Sequence, residues 1–414
     1  ETAPVGGAFH FISPFVEAAD TSEQTILRVD WGDAQAVSHE DARFNPWVLK
    51  ARFRGDGLAR RALEAILATG APLGDYLTSL KPGLRFRNGY QVGGEAGTQQ
   101  SATSMHGMPD LKDSAIDEFV VDTEDLPKFT LQTLLFPRNI EIYQAPLLLL
   151  RKTIPADPFK PRSLRSNVDL AFSQSFHGVS FRSLKGASDL ARLLQILFQS
   201  RIGNFVSLLT DPSYGFERET PHKLSLEEFP VVSLAQLNFE QLSQMRRISK
   251  AMEFGLDRTL FDELNAFVFD LYGLDEIERI AIEDALDTRG PTSASVNRAV
   301  TPPTAAERTQ FLATLKESLD DVLQASELTA AAVEVPAKGI PWRVISISTR
   351  AERKKSLEVD KFLKAADQSG ASLVVLPVSK WHVFVGLPDR YRHWTRTQAV
   401  LLAHDLLGGA LGNG

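Results

Sequence analysis

Between residues 187 and 209 the apolar positions Leu190, Leu193, Leu194, Leu197 and Phe198 recur at steps of three and four, and Ile202, Phe205 and Leu209 extend the stripe. The spacing predicts one amphipathic helix, capped at Ser188 or Asp189. At 211–215 (DPSYG) a fixed proline and a permissive glycine predict a turn. A second turn is expected at Pro221-His222-Lys223, followed by an extended run over 226–232.

The N-terminal side alternates between extended and helical patterns. Residues 9–15 and 25–31 predict two strands joined by a polar turn at 20–23. Leu58, Ala62, Ala65, Ile66 and Thr69 share one helical face, ending at Gly70. Residues 116–121 and 140–151 read as strands, the second with Pro146 marking an edge or bulge. Residues 157–167 are too rich in proline for a helix and predict an exposed loop, with strands returning at 170–172 and 178–181.

From residue 233 the pattern is helical. Leu237, Leu242, Met245, Ile248 and Met252 trace one amphipathic helix, Leu260, Leu264, Phe267, Val268 and Leu271 the next, and a third follows to 287. Residues 288–304 read as a linker by composition. Beyond it, a helix over 305–325, strands near 342–348, 373–377 and 381–386, and a helix at 395–407 predict a small module. The fold class expected is α+β. N-terminal strands occupy 1–43, a mixed, curved-sheet domain 44–232 and a helical segment 233–287. A C-terminal α+β module at 305–414 is expected to serve docking or dimerisation.

Composition removes several classes of function. Without cysteine there are no disulfides, thiolate metal sites or cysteine nucleophiles. No apolar run is long enough to span a membrane, and a cytoplasmic location is expected. The net charge of −7 opposes nucleic-acid binding if averaged over the chain. By region it does not: residues 50–87 hold eight basic against three acidic side chains, and 151–185 seven against two. Such asymmetry is what a DNA-facing groove on an otherwise acidic protein gives, and equally what a solvated charged face gives.

Leu193-Leu194-Gln195-Ile196-Leu197, Ser200-Arg201-Ile202, Tyr214-Gly215-Phe216-Glu217-Arg218 and Glu228-Phe229-Pro230-Val231 stand here in an order with a known counterpart. The segment resembles the target-recognition region of large, prokaryotic adenine-N6 DNA methyltransferases of restriction–modification or phage-defence systems. Residues 262–280 (DELNAFVFDLYGLDEIERI) resemble the helical tail of the same family. Trp47 is similar to the tryptophan that opens the recognition region there, so the resemblance covers roughly 44–287. It implies sequence-specific recognition of double-stranded DNA. The partner it implies is a methyltransferase catalytic module, or another defence-complex subunit, which would bind the cofactor S-adenosylmethionine; no cofactor is expected in this chain.

The chain departs from that family where catalysis would sit. It carries no glycine-rich cofactor loop after a first strand and no Asn/Asp-Pro-Pro-aromatic motif; Asn45-Pro46 is followed by Trp47 instead. Gly93, Gly94 and Gly97 match no phosphate-binding spacing. Pro109-Asp110-Leu111-Lys112 offers fragments of a metal-dependent nuclease site but lacks the second acidic-x-Lys pair. His177, His222, His382 and His393 are isolated, so neither catalytic residues nor metal ligands are assigned.

Recognition remains. The candidates for base contact are Arg85, Arg87, Asn88, Gln91, Asn167, Tyr214 and Arg218, and for phosphate contact Lys152, Lys160, Arg162, Arg165 and Lys223. Tyr214 and Arg218 come from the resemblance; the others come from charge and expected loop position. Two alternatives compete: a protein–protein scaffold of a defence complex without DNA readout, and a complete nuclease with its site in 305–414.

Overall fold

The structure is a computed structural model. It describes residues 7–12, 34–95, 97–112, 116–215, 220–324, 328–335, 341–349, 363, 373–379 and 382–408, with the backbone of 15–18 and 25–28. The fold is α+β, as the mixture of periods predicts. By its packing the chain divides into two compact units: Ala59–Ile282, and Glu1–Leu58 together with Glu283–Gly414. No helix among the described residues is long and apolar enough to cross a membrane.

Ala59–Ile282 is built around the strand Leu147–Arg151, whose four consecutive leucines are all buried. An unbroken apolar run suits a strand covered on both faces. It is central in an antiparallel sheet ordered Ser163–Ser166, Leu147–Arg151, Phe176–Ser180, Arg87–Asn88. One cover is the helix Ala187–Gln199, which lies against the first two of those strands. The other is a core of Tyr90, Phe129, Tyr143, Phe172 and Phe176.

The stripe over 187–209 forms two helices, Ala187–Gln199 and Arg201–Thr210. Ser200 divides them: it is extended (φ −70°, ψ 166°), and its hydroxyl accepts from the Gly203 N–H at 3.3 Å, capping the second helix. Gly203 is required by closeness, since a Cβ there would meet the Phe198 carbonyl oxygen at 2.6 Å. The first helix also buries two polar residues, Gln195 and Gln199. The Gln195 amide donates to the Phe119 carbonyl at 2.7 Å, and that of Gln199 to the carbonyls of Pro158 and Lys160 at 3.0 Å. Both are fastened to loops that have no ladder of their own.

Other expectations are corrected. Of the strand expected at 116–121, only a bridge from Val120 to Arg165 forms. Residues 140–151 open with a 3-10 turn, Ile140–Tyr143, and become a strand only at Leu147. The run at 226–232 begins inside a short helix, Lys223–Glu227, and only Pro230–Val231 is extended, pairing with Ala71–Pro72. The helices Phe239–Met252, Arg258–Leu271 and Glu276–Arg289 follow their periodicity. Asn238 and Asp257 cap the first two, accepting from Gln241 and Leu260 N–H groups at 2.9 and 2.8 Å.

In the other unit Ala8–Ile12 pairs with Ala34–Ser38, and Phe15–Ala18 with Thr25–Arg28; the expected turn at 20–23 lies outside the described residues. The stretch expected as a linker, 288–304, contains the helix Ser293–Val300, because the Thr292 hydroxyl accepts from the Ser295 N–H at 3.2 Å and caps it. The C-terminal module has an antiparallel sheet ordered Ala331–Val335, Trp342–Ser348, His382–Pro388, Val374–Ser379. The helices Ala305–Leu323 and Arg396–Gly408 pack together over it around Phe311, Leu315, Trp394 and Leu402.

Asp284 holds the start of the last helix, accepting from the Thr397 N–H at 2.8 Å. Burial pushes its carboxyl up to about 6, although the Thr397 N–H and Arg396 favour the charge. A carboxyl whose folded pKa exceeds its unfolded value is destabilising while ionised, and that penalty fades as pH falls through about 6. Asp284→Asn keeps an acceptor and removes the charge. It is expected to raise stability at pH 7 by ~1–3 kcal/mol and to flatten the dependence between pH 7 and 4, measured by urea unfolding.

Candidate nucleic-acid interface

Four pieces of Ala59–Ile282 meet at the edge strand Arg87–Asn88. Helix Leu73–Leu80 ends at Lys81, and Pro82 and Gly83 (φ +78°) turn the chain so that 84–88 returns along the sheet edge. Residues 138–144 run beside it, the loop after Phe176–Ser180 brings Arg182 and Ser183, and Lys223 starts the short helix. Together they line a cleft of about 610 Å³.

Its lining is strongly one-sided. Lys81, Arg85, Arg87, Arg138, Arg182 and Lys223 face a single lining carboxylate, Glu141. From outside the lining, Asp169 pairs with Arg182 at 3.6 Å and Glu227 with Lys223 at 3.3 Å. Burial, and after it the crowding of like charge, shows in the titration of the group. Burial and then Arg85 lower the Arg87 guanidinium, with Glu227 opposing. Burial and Arg138 lower the nearby Lys152 ammonium. Burial, then Lys152 and Lys223, push the His177 imidazole down to about 4, so it is neutral at pH 7.

Two further features mark this cleft. Arg138 and Ser183, each at φ +69°, are the non-glycine residues with positive φ among the described residues, and both line it. Each such conformation costs roughly 1–3 kcal/mol and persists only where its surroundings impose it. Asn88 and His177 are cross-strand partners, and each carries a buried polar atom, Oδ1 and Nδ1, with no hydrogen-bond partner among the described residues. Backbone strain gathered in one place, beside a buried polar atom without a partner, is characteristic of a ligand site.

No family model matches the sequence, and no curated protein does. Solved structures similar to the chain include the following two. One is the type IIG restriction endonuclease BpuSI, 11% identical with a TM-score of 0.39, covering 66% of this chain and 37% of that one. The other is the HsdS subunit from Thermoanaerobacter tengcongensis, 15% identical with a TM-score of 0.21, covering 67% of this chain and 66% of that one. The chain therefore matches little more than a third of the length of the first and less than two thirds of the second. Similarity at this level assigns no activity, and the chemistry of the cleft has to carry function.

Arg85, Arg87, Asn88 and Lys223, chosen from sequence, all come together in the cleft. Lys152 stands half-buried beside Arg138 and His177. Gln91 is outside the lining, its backbone exchanging hydrogen bonds of 3.0 and 3.2 Å with Phe136, and Asn167 is exposed elsewhere. Lys160 is exposed and ion-paired with Asp117. Arg218 lies outside the described residues.

Three expectations are overturned by burial. Arg162 is 7% exposed, its guanidinium donating to Asn204 Oδ1 at 2.9 Å and Ser207 Oγ at 3.1 Å above the Phe198 ring. Arg165 is 3% exposed, held by Gln195 Oε1 at 2.6 Å and Glu253 at 3.1 Å. Tyr214 is buried too, close enough to Arg162 to interact with its charge. None of the three presents a side chain to a ligand. The nuclease-like fragment is likewise structural: Asp110 is buried and accepts from the Tyr90 hydroxyl at 2.7 Å. Among the described residues no three His, Asp or Glu side chains gather as metal ligands.

The sequence reading missed Lys81, Arg138, Asn139, Arg182 and Ser183 as site residues. Lys81 and Arg182 belong to the two basic regions already counted, so their charge was visible. Arg138 falls between those regions, and only its left-handed backbone distinguishes it.

Proposed function

We propose that the Ala59–Ile282 unit binds double-stranded DNA at this cleft, as the recognition part of a restriction–modification or phage-defence system. The observation that carries the reading is the gathering of six cationic side chains around one lining carboxylate, on a protein of net charge −7. Lys and Arg on the rim suit phosphates, and the amide of Asn88 suits a base edge. The resemblance of 193–231 and 262–280 supports the finer assignment, to adenine-N6 methylation systems.

In that assignment methyl transfer belongs to a separate catalytic module. A cationic lining does not favour S-adenosylmethionine, whose sulfonium and ammonium outweigh its one carboxylate to leave a net positive charge. No step of the chemistry is placed on these residues.

The test is binding of the full chain to a random-duplex pool at low and physiological salt, with and without a methyltransferase encoded beside it. Affinity is expected to fall steeply with salt, and the bound fraction to share a short motif. The double variant Arg85→Glu/Arg87→Glu is expected to lose about 100-fold at low salt and to flatten the slope by about 2. Salt-insensitive failure to bind, even with the partner present, would overturn the reading in favour of a protein scaffold.

A further inference from the structure

Arg138 is fixed in a manner unlike the other cations of the cleft. Its backbone is left-handed at φ +69°. On one side the Pro137 carbonyl accepts from the hydroxyl of the fully buried Tyr143 at 2.7 Å. On the other, Asn139 caps the 3-10 turn, accepting from the Glu141 N–H at 3.0 Å. The side chain is held as well: Nε donates to the Gly89 carbonyl at 3.2 Å, and the guanidinium lies 5.0 Å from the centre of the Phe136 ring. Phe136 is itself tied by its backbone to Gln91. With Nε engaged, the two terminal amino groups form the remaining donor edge, and among the described residues no hydrogen-bond or ion-pair partner meets them.

We propose that Arg138 reads a guanine in the bound duplex, its two terminal amino groups donating to O6 and N7. This rests on the DNA reading of the cleft. A phosphate accepts from many directions and is served well by a flexible cation, and Lys81, Arg85 and Lys223 already line the same space. A planar donor edge, immobilised by an aromatic face, a carbonyl and a strained backbone, matches an acceptor that is itself planar and double. Of the base edges in the major groove, that of guanine presents two adjacent acceptors; adenine and cytosine each present a donor amine, and thymine one carbonyl beside a methyl group. Immobilising the fork beforehand also removes the side-chain ordering that binding would otherwise require.

The experiment uses the full chain and the motif recovered from the duplex pool, with 7-deazaguanine, which lacks the N7 acceptor, placed at each guanine in turn. At one position the replacement is expected to weaken the wild type between about five- and 150-fold. Arg138→Met, which keeps the length and removes every donor, is expected to show no further loss from that replacement and to accept other bases there, with the salt slope changed by less than the one unit of a phosphate contact. Its thermal unfolding checks that it remains folded. Full guanine preference in Arg138→Met, or a motif in which no guanine is sensitive to the deaza replacement, would overturn the proposal while DNA binding stands. Failure of the wild type to bind any duplex would remove the DNA reading and this proposal with it.

Discussion

Arg162→Ala is expected to destabilise the protein by ~2–4 kcal/mol in urea unfolding and to leave the salt dependence of any DNA binding unchanged. The guanidinium is buried, and among the described residues it has the neutral acceptors Asn204 and Ser207 but no carboxylate. Burial accordingly lowers its pKa to about 10, with Tyr214 opposing. Truncation would empty the space beside Phe198 and strand both acceptors. Because the charge itself is costly to bury, Arg162→Met should be milder than alanine, filling the space without a desolvated ion. A phosphate contact would behave in the opposite way: stability unchanged, salt slope reduced by about one unit.

Asp211→Ala is expected to cost about 3–5 kcal/mol. This fully buried carboxylate organises the turn after helix Arg201–Thr210. Its Oδ1 accepts from the N–H groups of Tyr214 at 2.8 Å and Ser213 at 3.0 Å, and Oδ2 from the N–H of His222, eleven residues along the chain. Burial alone would raise its pKa, but hydrogen bonds from the Tyr214 N–H, the Ser225 side chain and the His222 and Ser213 N–H groups hold it below the ordinary carboxylate value. A depressed folded pKa adds stability at pH values above the unfolded pKa, near 4, and that stability is lost as pH falls towards the folded value. The wild type should therefore lose stability below about pH 4 through this site, and Asp211→Asn should remove that part of the acid sensitivity.

These two residues show where sequence reasoning succeeds and where it stops. The helices over 57–69, 239–252 and 258–271 are legible because a buried stripe and a cap are both local signals. Ser200 is harder to read: an apolar stripe continues straight through it, and the break depends on its hydroxyl accepting from the N–H of Gly203, three residues ahead. Charge was equally ambiguous. Arg85 and Arg87 stand at an edge strand and face a cleft; Arg162 and Arg165 come from an equally basic stretch but lie under the helix carrying Gln195 and Gln199. A list of arginines does not reveal which of them sit beneath a helix. Arg138 was invisible for a related reason, since positive φ at a non-glycine residue is imposed by tertiary neighbours such as Tyr143.

The division of the chain has a consequence for its synthesis. Residues 59–282 contain all the partners of their own unit in one continuous stretch, whereas the first 58 pack with segments beyond 282. Arg54 donates to the Arg289 carbonyl at 3.3 Å, and Arg289 donates to the Gly55 carbonyl at 3.1 Å and pairs with Asp56. On a ribosome adding about 5–20 residues per second, the leading segment waits on the order of tens of seconds before those partners emerge. Throughout that interval residues 59–282 can already be folded, while Val37, Val48 and Ala51, all buried in the finished structure, stay open to chaperones. Residues 59–282 are thus expected to fold before the unit made from the two flanks, which is where nascent chains are expected to fail.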